Sequence, residues 1–325
     1  MANLKTGIQW TDATWSPTIG CTRVSAGCDH CYAFQLHDQR YRAWATDEWP
    51  DAPEQYHRPF SEVQLLDDKR LSLPLRWTKP RRIFVNSMSD LFHADVPTEF
   101  IADVFAVMAM ARRHTFQVLT KRTKRMNRLV ADRKFHAQVI DACWDMVHRR
   151  QTAPHLSDSA AHVWPLPNVW LGTSVENQEA AYRIDWLVKT PAVVRFLSCE
   201  PLIGPVNLWR WLGRAIEEDD PEWGIGCDET GCKNPAWYVR PGELGPIHEC
   251  DLHQSSRLDW IIAGGESGPD YRPLDLNWAR DLRDQCVAAE VPYFFKQVGG
   301  RTSKAGGREL DGRTWDELPQ VLQVA

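Results

Sequence analysis

The feature that most constrains the fold of this 325-residue chain is a repeated alternation of short apolar runs with longer helical patterns. Runs rich in β-branched and aromatic residues predict strands, and apolar residues three and four apart predict helices between them. Several runs, such as Trp260–Gly264, are apolar throughout, as expected of parallel strands buried on both faces. We therefore predict strands at Ile8–Thr14, Arg82–Ser87, Phe116–Thr120, Val169–Thr173, Val193–Ser198, Trp260–Gly264 and Tyr293–Gln297, and helices at Thr98–Arg113, Thr123–Val130, Phe135–Arg150, Gln178–Lys189 and Leu276–Ala289.

Nearly every predicted strand ends in a cluster of polar or charged residues. In a parallel barrel the carboxyl ends of all strands open on one face, and that face holds the active site. The repeated βα pattern therefore predicts an α/β fold, a partial (β/α)6–7 TIM-like barrel whose rim lines a pocket. The rim residues that we single out are Ser87, Ser89, Asp90, Lys121, Arg122, Ser174, Glu176, Asn177, Glu200, Glu266 and Lys296.

Composition and charge narrow the class of protein. The net charge of −5 argues against a protein that coats nucleic acid non-specifically. Basic residues are nevertheless clustered, above all at Lys121–Arg128, where they form either a solvated helix face or a surface for an anionic substrate. No stretch approaches about eighteen apolar residues, and the N-terminus lacks the apolar core of a secretory signal. We therefore expect a cytoplasmic protein without membrane contact.

A first group of cysteines, Cys21, Cys28 and Cys31, follows the first predicted strand with the spacing C-x6-C-x2-C. Three thiolates in a short loop match an iron–sulfur cluster with one iron left open, because a fully ligated cluster requires four cysteines. A structural zinc site is the alternative, and His30 or His37 would then supply the fourth ligand. Spacing alone does not decide between the two, whereas the position at the mouth of a barrel strand favours the catalytic cluster.

The cysteine segment resembles the cluster loop of radical S-adenosylmethionine (SAM) enzymes in the run Gly27–Ala33, Gly-Cys-Asp-His-Cys-Tyr-Ala. The first gap is three residues longer than the usual C-x3-C-x2-C. Other segments resemble the bacteriophage Gp37/Gp68-type proteins, which look related to radical SAM enzymes. These segments are Trp10–Trp15, Ser87–Phe92, Leu119–Arg122 and Gly264–Gly268.

The resemblance implies a set of roles. Cys21, Cys28 and Cys31 would hold a [4Fe–4S] cluster whose open iron binds SAM, and the cofactor would supply the radical chemistry. The implied SAM contacts are His30, Tyr32, Ser87, Ser89, Asp90, Ser174, Glu176 and Asn177. Glu200 and Glu266 would hold either SAM or the substrate. Lys121, Arg122 and Lys296 are candidate anchors for an anionic substrate, and a host flavodoxin or ferredoxin would be the reductant. A phage-encoded protein would work in the host cytoplasm.

A second group of cysteines lies in a Gly- and Pro-containing segment between two predicted strands. Cys227, Cys232, Cys250 and His253 form two short-spaced pairs that suit a tetrahedral structural zinc ion, with His248 as a competing ligand. A second iron–sulfur cluster and unligated thiols are the alternatives. We therefore predict a zinc-ribbon-like subdomain at 215–257, inserted into a radical SAM-type barrel formed by 1–214 and 258–325.

Three functions remain open from the sequence. The first is a radical SAM enzyme that modifies or repairs a nucleic-acid base or nucleotide. The second keeps this chemistry with a peptide or small metabolite as substrate. The third is a non-catalytic, zinc-stabilised nucleic-acid-binding protein, which would not need a ring of polar strand ends.

Overall fold

A computed structural model describes residues 6–150, 161–212, 214–215, 238–242, 245–249, 257–302 and 304–320. The chain divides into two compact units. The first unit comprises Met1–Thr173, Thr190–Val193 and Val324–Ala325, and the second comprises Ser174–Lys189 and Val194–Gln323.

The first unit is built on parallel strands in the order β1-β4-β5-β6. Their bounds are β1 Ala13–Trp15, β4 Arg82–Val85, β5 Thr115–Thr120 and β6 Val169–Ser174. Two short strands, β2 (Thr18–Ile19) and β3 (Gln64–Leu65), form a separate antiparallel pair. The sequence placed the first strand at Ile8–Thr14, whereas β1 begins only at Ala13. Thr11 and Asp12 lie in the loop before β1, where both hydrogen-bond with the backbone of Arg82.

The helices in the described part of the first unit lie between or beside its strands along the chain. They are α1 Tyr32–Ala45, α2 Asp68–Leu71, α3 Thr98–Met110, α4 Thr123–Val130 and α5 Arg133–Trp144, and a π-helical turn continues α5 over Asp145–Arg149. α3 packs on α5, where the rings of Phe105 and Phe135 meet edge to face at 5.4 Å. α3 ends before the predicted Arg113 because Ala111 leaves the helical conformation and His114 closes a turn onto it.

The second unit contains parallel strands in the order β7-β11-β12, with bounds β7 Val194–Cys199, β11 Trp260–Gly264 and β12 Tyr293–Gln297. Its helices are α6 Tyr182–Val188, α7 Trp209–Leu212 and α8 Leu276–Ala288. Three further strands pair in antiparallel order as β10-β9-β8: β8 Arg214–Ala215, β9 Tyr238–Gly242 and β10 Gly245–Glu249. A small hairpin of β13 (Glu309–Leu310) and β14 (Arg313–Thr314) follows β12.

The predicted α/β class is therefore confirmed, with seven parallel strands near the predicted positions. Strands β11 and β12 begin and end where the sequence placed them, because a continuous apolar run bounded by polar residues leaves little freedom in their limits. Among the described residues, no helix is both long enough and apolar enough to cross a lipid bilayer.

Candidate active site around the cysteine loop

The cysteine loop, residues 21–31, starts from a tight backbone contact at the carboxyl ends of β1 and β4. Gly20 has a φ of +96° and forms a parallel bridge with Ser89. A Cβ atom at Gly20 would lie 2.4 Å from the carbonyl oxygen of Glu62, so only glycine fits here. The Cys21 amide then donates to the Phe60 carbonyl oxygen at 2.8 Å. Backbone contacts at Gly20 and at the Cys21 amide thus hold the first cysteine in place.

The three thiols of the cysteine loop are all free and partly exposed. Cys28 and Cys31 lie in one turn, since the Cys31 amide donates to the Cys28 carbonyl oxygen at 3.3 Å. Cys31 is also the N-cap residue of α1. Cys28 in turn is near enough to Cys21 to act on the pKa of its thiol.

The Cys21 thiol lies beside a guanidinium group. Arg122 Nη1 is 3.5 Å from Cys21 Sγ, and its Nη2 donates to Thr22 O at 3.1 Å and Thr22 Oγ1 at 3.0 Å. Burial and the Asp90 carboxylate raise the pKa of the Cys21 thiol to about 11, while Arg122 acts in the opposite direction. A thiolate at this position therefore requires positive charge next to it, and Arg122 supplies part of that charge.

Asp90 fixes Arg122 in this position. One carboxylate oxygen, Oδ2, accepts from Arg122 Nη1 at 2.8 Å and from the Lys121 amide at 3.2 Å. The other, Oδ1, accepts from Thr120 Oγ1 at 2.7 Å and the Phe92 amide at 2.9 Å. Asp90 was predicted to contact SAM, and Arg122 to anchor a substrate. The structure engages both in one buried ion pair, so each acts first on the cysteine loop.

The predicted serines at the end of β4 take part in a small polar network. Ser89 Oγ donates to the Thr18 carbonyl oxygen at 2.9 Å and lies 2.8 Å from Thr18 Oγ1. The Ser87 carbonyl oxygen accepts from Tyr32 Oη at 2.6 Å. Asn86 has a φ of +60° and donates through Nδ2 to Thr18 Oγ1 at 2.9 Å. The network ties the start of α1 to the strand end, and the sequence did not identify Asn86 or Thr18 as part of it.

The histidines considered as zinc ligands differ in position. His37 is buried against the rings of Tyr56 and Phe60, and its Nε2 lies 3.1 Å from the Gln55 carbonyl oxygen. His37 is thus engaged with Gln55 and the two rings rather than with the cysteine loop. His30 is half-buried within the loop, next to Cys31, as its place in the sequence requires.

In the second unit, three predicted rim acids are paired with basic side chains. Glu176 accepts from Arg183 Nη1 through both oxygens, at 3.2 and 3.0 Å, and both side chains are buried. Arg183 Nη1 also donates to the Ser174 carbonyl oxygen at 2.8 Å. Asn177 caps the following 3-10 turn by accepting from the Ala180 amide. Ser174, Glu176 and Asn177, which were predicted to bind SAM, thus also take part in contacts that hold the end of this strand.

The other two acids lie at the ends of β7 and β11. Glu266 is held by Arg272, with Oε1 2.7 Å from Nη2 and Oε2 3.0 Å from Nε. Glu200 Oε1 lies 2.8 Å from Lys296 Nζ, above Gly264, where a Cβ atom would approach the same oxygen to 3.1 Å. Of the three acid–base pairs, Glu200–Lys296 is the one in which both side chains are partly exposed, and a single nitrogen joins them. This pair is therefore the most accessible of the three to a ligand.

The four predicted zinc ligands Cys227, Cys232, Cys250 and His253, and the competing His248 side chain, lie outside the part of the chain whose side chains are described. Within the described residues, no group of three or more His, Cys, Asp or Glu side chains is arranged to hold a metal ion. The donor chemistry of the cysteine loop nevertheless fits an iron–sulfur cluster, because its three thiols are unbridged and partly exposed and the Cys21 thiol lies beside the Arg122 guanidinium.

Comparison with known protein families places the chain. Residues 5–319 match the family described as "Protein of unknown function (DUF5131)". No curated protein and no solved structure matches the chain. Because the match covers nearly the whole length, the chain belongs to the DUF5131 family.

Proposed function

We propose that this protein is a radical SAM-type enzyme whose [4Fe–4S] cluster is held by Cys21, Cys28 and Cys31. The observation that carries the proposal is the cysteine loop itself. Three free, partly exposed cysteines follow the carboxyl end of a parallel strand, and an Arg122–Asp90 pair lies against the first of them. A fully ligated cluster needs four cysteines, so three leave one iron open for a cofactor.

The proposal assigns the protein's own groups to holding and orienting that cluster. Cys21, Cys28 and Cys31 would hold the cluster as thiolates. Arg122 offsets the charge of the Cys21 thiolate, and Asp90 keeps the guanidinium in place. When bound, the cluster supplies the electron that cleaves SAM to methionine and a 5′-deoxyadenosyl radical. Tyr32, through its bond to the Ser87 carbonyl oxygen, fixes the first turn of α1 beside the loop.

A structural zinc ion at the cysteine loop is the competing function. It requires a fourth ligand, and the buried position of His37 leaves His30 as the histidine within the loop. The resemblance to the Gp37/Gp68-type proteins, the host reductant and the zinc ribbon remain predictions of the sequence. The substrate that we propose is a nucleic-acid base or nucleotide, and the support for it is the cluster of basic residues at Lys121–Arg128.

The test is metal analysis after anaerobic reconstitution with iron and sulfide. We expect about four irons per chain in the wild type. The variant Cys28→Ala should be colourless. Cys143→Ala is the matched control, because this thiol is buried on α5 and contacts the Ala106 carbonyl oxygen. Loss of iron in both variants, or zinc in place of iron in the wild type, would overturn the proposal.

A further inference from the structure

A basic surface starts at the cysteine loop. α4 begins at Thr123, immediately after Arg122, which contacts Cys21 and Thr22. Lys124 and Arg128 are exposed and lie one helical turn apart on the same face of α4. Arg133 and Lys134, at the start of α5, are exposed as well. We define these four residues as the basic track.

The basic track has little negative charge near it in the sequence. No Asp or Glu occurs between Asp103 and Asp132. Asp132 is committed locally, because its carboxylate caps α5 by accepting from the Lys134 amide at 2.8 Å. The chain as a whole carries a net charge of −5, so this local excess of positive charge contrasts with the rest of the sequence. Such a surface is complementary to a polyanion.

Exposed aromatic rings lie at the other end of the cysteine loop. Tyr32 and Phe34, in the first turn of α1, are 53% and 47% exposed although large apolar side chains usually pack inside. Phe34 has its ring edge against Phe60, and Tyr32 is fixed through its hydroxyl to Ser87, so both are held in place on the surface. Rings held in this way present a face on which a base can stack.

We infer that the basic track and the two exposed rings bind a single strand of nucleic acid across the cysteine loop. Cationic side chains that follow the backbone, combined with aromatic faces for bases, are what recognises single strands. A single strand also suits an enzyme that acts on a base, because a base within a duplex is out of reach. The inference rests on the proposed function in one respect, that the bound strand is the substrate.

The experiment is a fluorescence-anisotropy titration of the full chain with a labelled oligothymidylate, at several salt concentrations. Each phosphate contact contributes about 0.7 to the slope of log K against log salt for single strands. Lys124→Ala with Arg128→Ala therefore lowers the slope by about 1.4, which corresponds to about 25-fold weaker binding near 0.1 M salt. Phe34→Ala weakens binding by about tenfold with the slope unchanged.

Matched control variants distinguish binding at this surface from a general effect of removing an exposed cation or an exposed ring. Arg112→Ala with Arg113→Ala removes two exposed cations from the turn before β5, at the amino end of that strand. Trp144→Ala removes an exposed ring from the far end of α5. Both leave binding within about twofold. Equal losses in control and test variants, equal binding of a duplex, or no binding at all would overturn the inference.

The failure of oligonucleotide binding and the failure of cluster assembly are separate outcomes, so each proposal can be refuted without the other. A protein that binds the oligonucleotide but holds no iron refutes the enzyme and leaves the surface. A protein that cleaves SAM without binding the oligonucleotide refutes the surface and directs the search to peptides or small metabolites.

Discussion

Replacing Asp90 by asparagine tests whether this carboxylate organises the cysteine loop. Asparagine has the same shape, but it removes the negative charge that faces Arg122. Its Nδ2 also places a donor where one carboxylate oxygen accepted. That donor faces either Thr120 Oγ1 and the Phe92 amide, or the Lys121 amide and Arg122. Asp90→Asn therefore leaves a cation without its partner and at least one buried donor without an acceptor.

The expected magnitude follows from the burial of the pair. The side chains of Asp90 and Arg122 are 8% and 17% exposed, so solvent compensates little for the lost charge. Removing one member of a buried ion pair destabilises a protein by about 3–5 kcal/mol. Arg122 keeps two acceptors on Thr22, so we expect the lower end of that range, about 3 kcal/mol. The same loss of position should speed the release of iron to a chelator.

The assay is urea unfolding of the wild type and the variant at equal pH and salt, together with the rate of iron release. Asp12→Asn is the matched control, because Asp12 pairs with Arg82 on the surface, with side chains 43% and 30% exposed. That change should cost less than about 1 kcal/mol and leave iron release unchanged. If Asp90→Asn destabilises the protein no more than Asp12→Asn, the assignment of Asp90 as the anchor of Arg122 is refuted.

Three further predictions follow from other positions. Gly20→Ala should destabilise the protein by about 1–3 kcal/mol and reduce iron binding, because the added Cβ would meet a carbonyl oxygen and the backbone φ is positive. The control Gly7→Ala lies in open space and should change neither stability nor iron binding. Equal effects of the two substitutions would contradict the geometry at Gly20. Burial lowers the pKa of His114 from 6.5, so the unfolded state binds more protons below that value and stability falls as pH falls. Between about pH 7.5 and about pH 5.5 the wild type should therefore lose more stability than His114→Gln in urea unfolding, and parallel losses would sink this reasoning. Glu176→Gln should destabilise by about 3–5 kcal/mol by leaving the Arg183 charge buried alone. Replacing both residues by methionine should cost less than Glu176→Gln, and a larger loss in the double variant would refute the account of this pair.

The sequence predicted the parallel strands well because each is a short apolar run bounded by polar residues. It placed no helix between the cysteine loop and the second strand, although α1 spans Tyr32–Ala45. Its signal is weak, since Ala33 and His37 are its only buried residues and the aromatic side chains Tyr32 and Phe34 are exposed. Apolar periodicity detects helices that bury a stripe, and α1 does not bury one.

The candidate site was predicted less completely than the fold. The three cysteines are identified by their spacing, and the structure adds what surrounds them. The Asp90–Arg122 pair joins residues 32 positions apart, in the segments that follow the neighbouring strands β4 and β5, and this contact depends on register and side-chain reach. Each charged residue was assigned to a ligand, because a sequence does not show that a carboxylate such as Glu266 already has a guanidinium partner in Arg272.

The most direct test of the central claim is the cleavage of SAM by the anaerobically reconstituted wild-type protein, with dithionite as reductant and 5′-deoxyadenosine quantified by mass spectrometry. The account predicts 5′-deoxyadenosine in amounts that rise with iron content, and none from Cys28→Ala. A protein that carries its full complement of iron yet forms no 5′-deoxyadenosine would contradict the account.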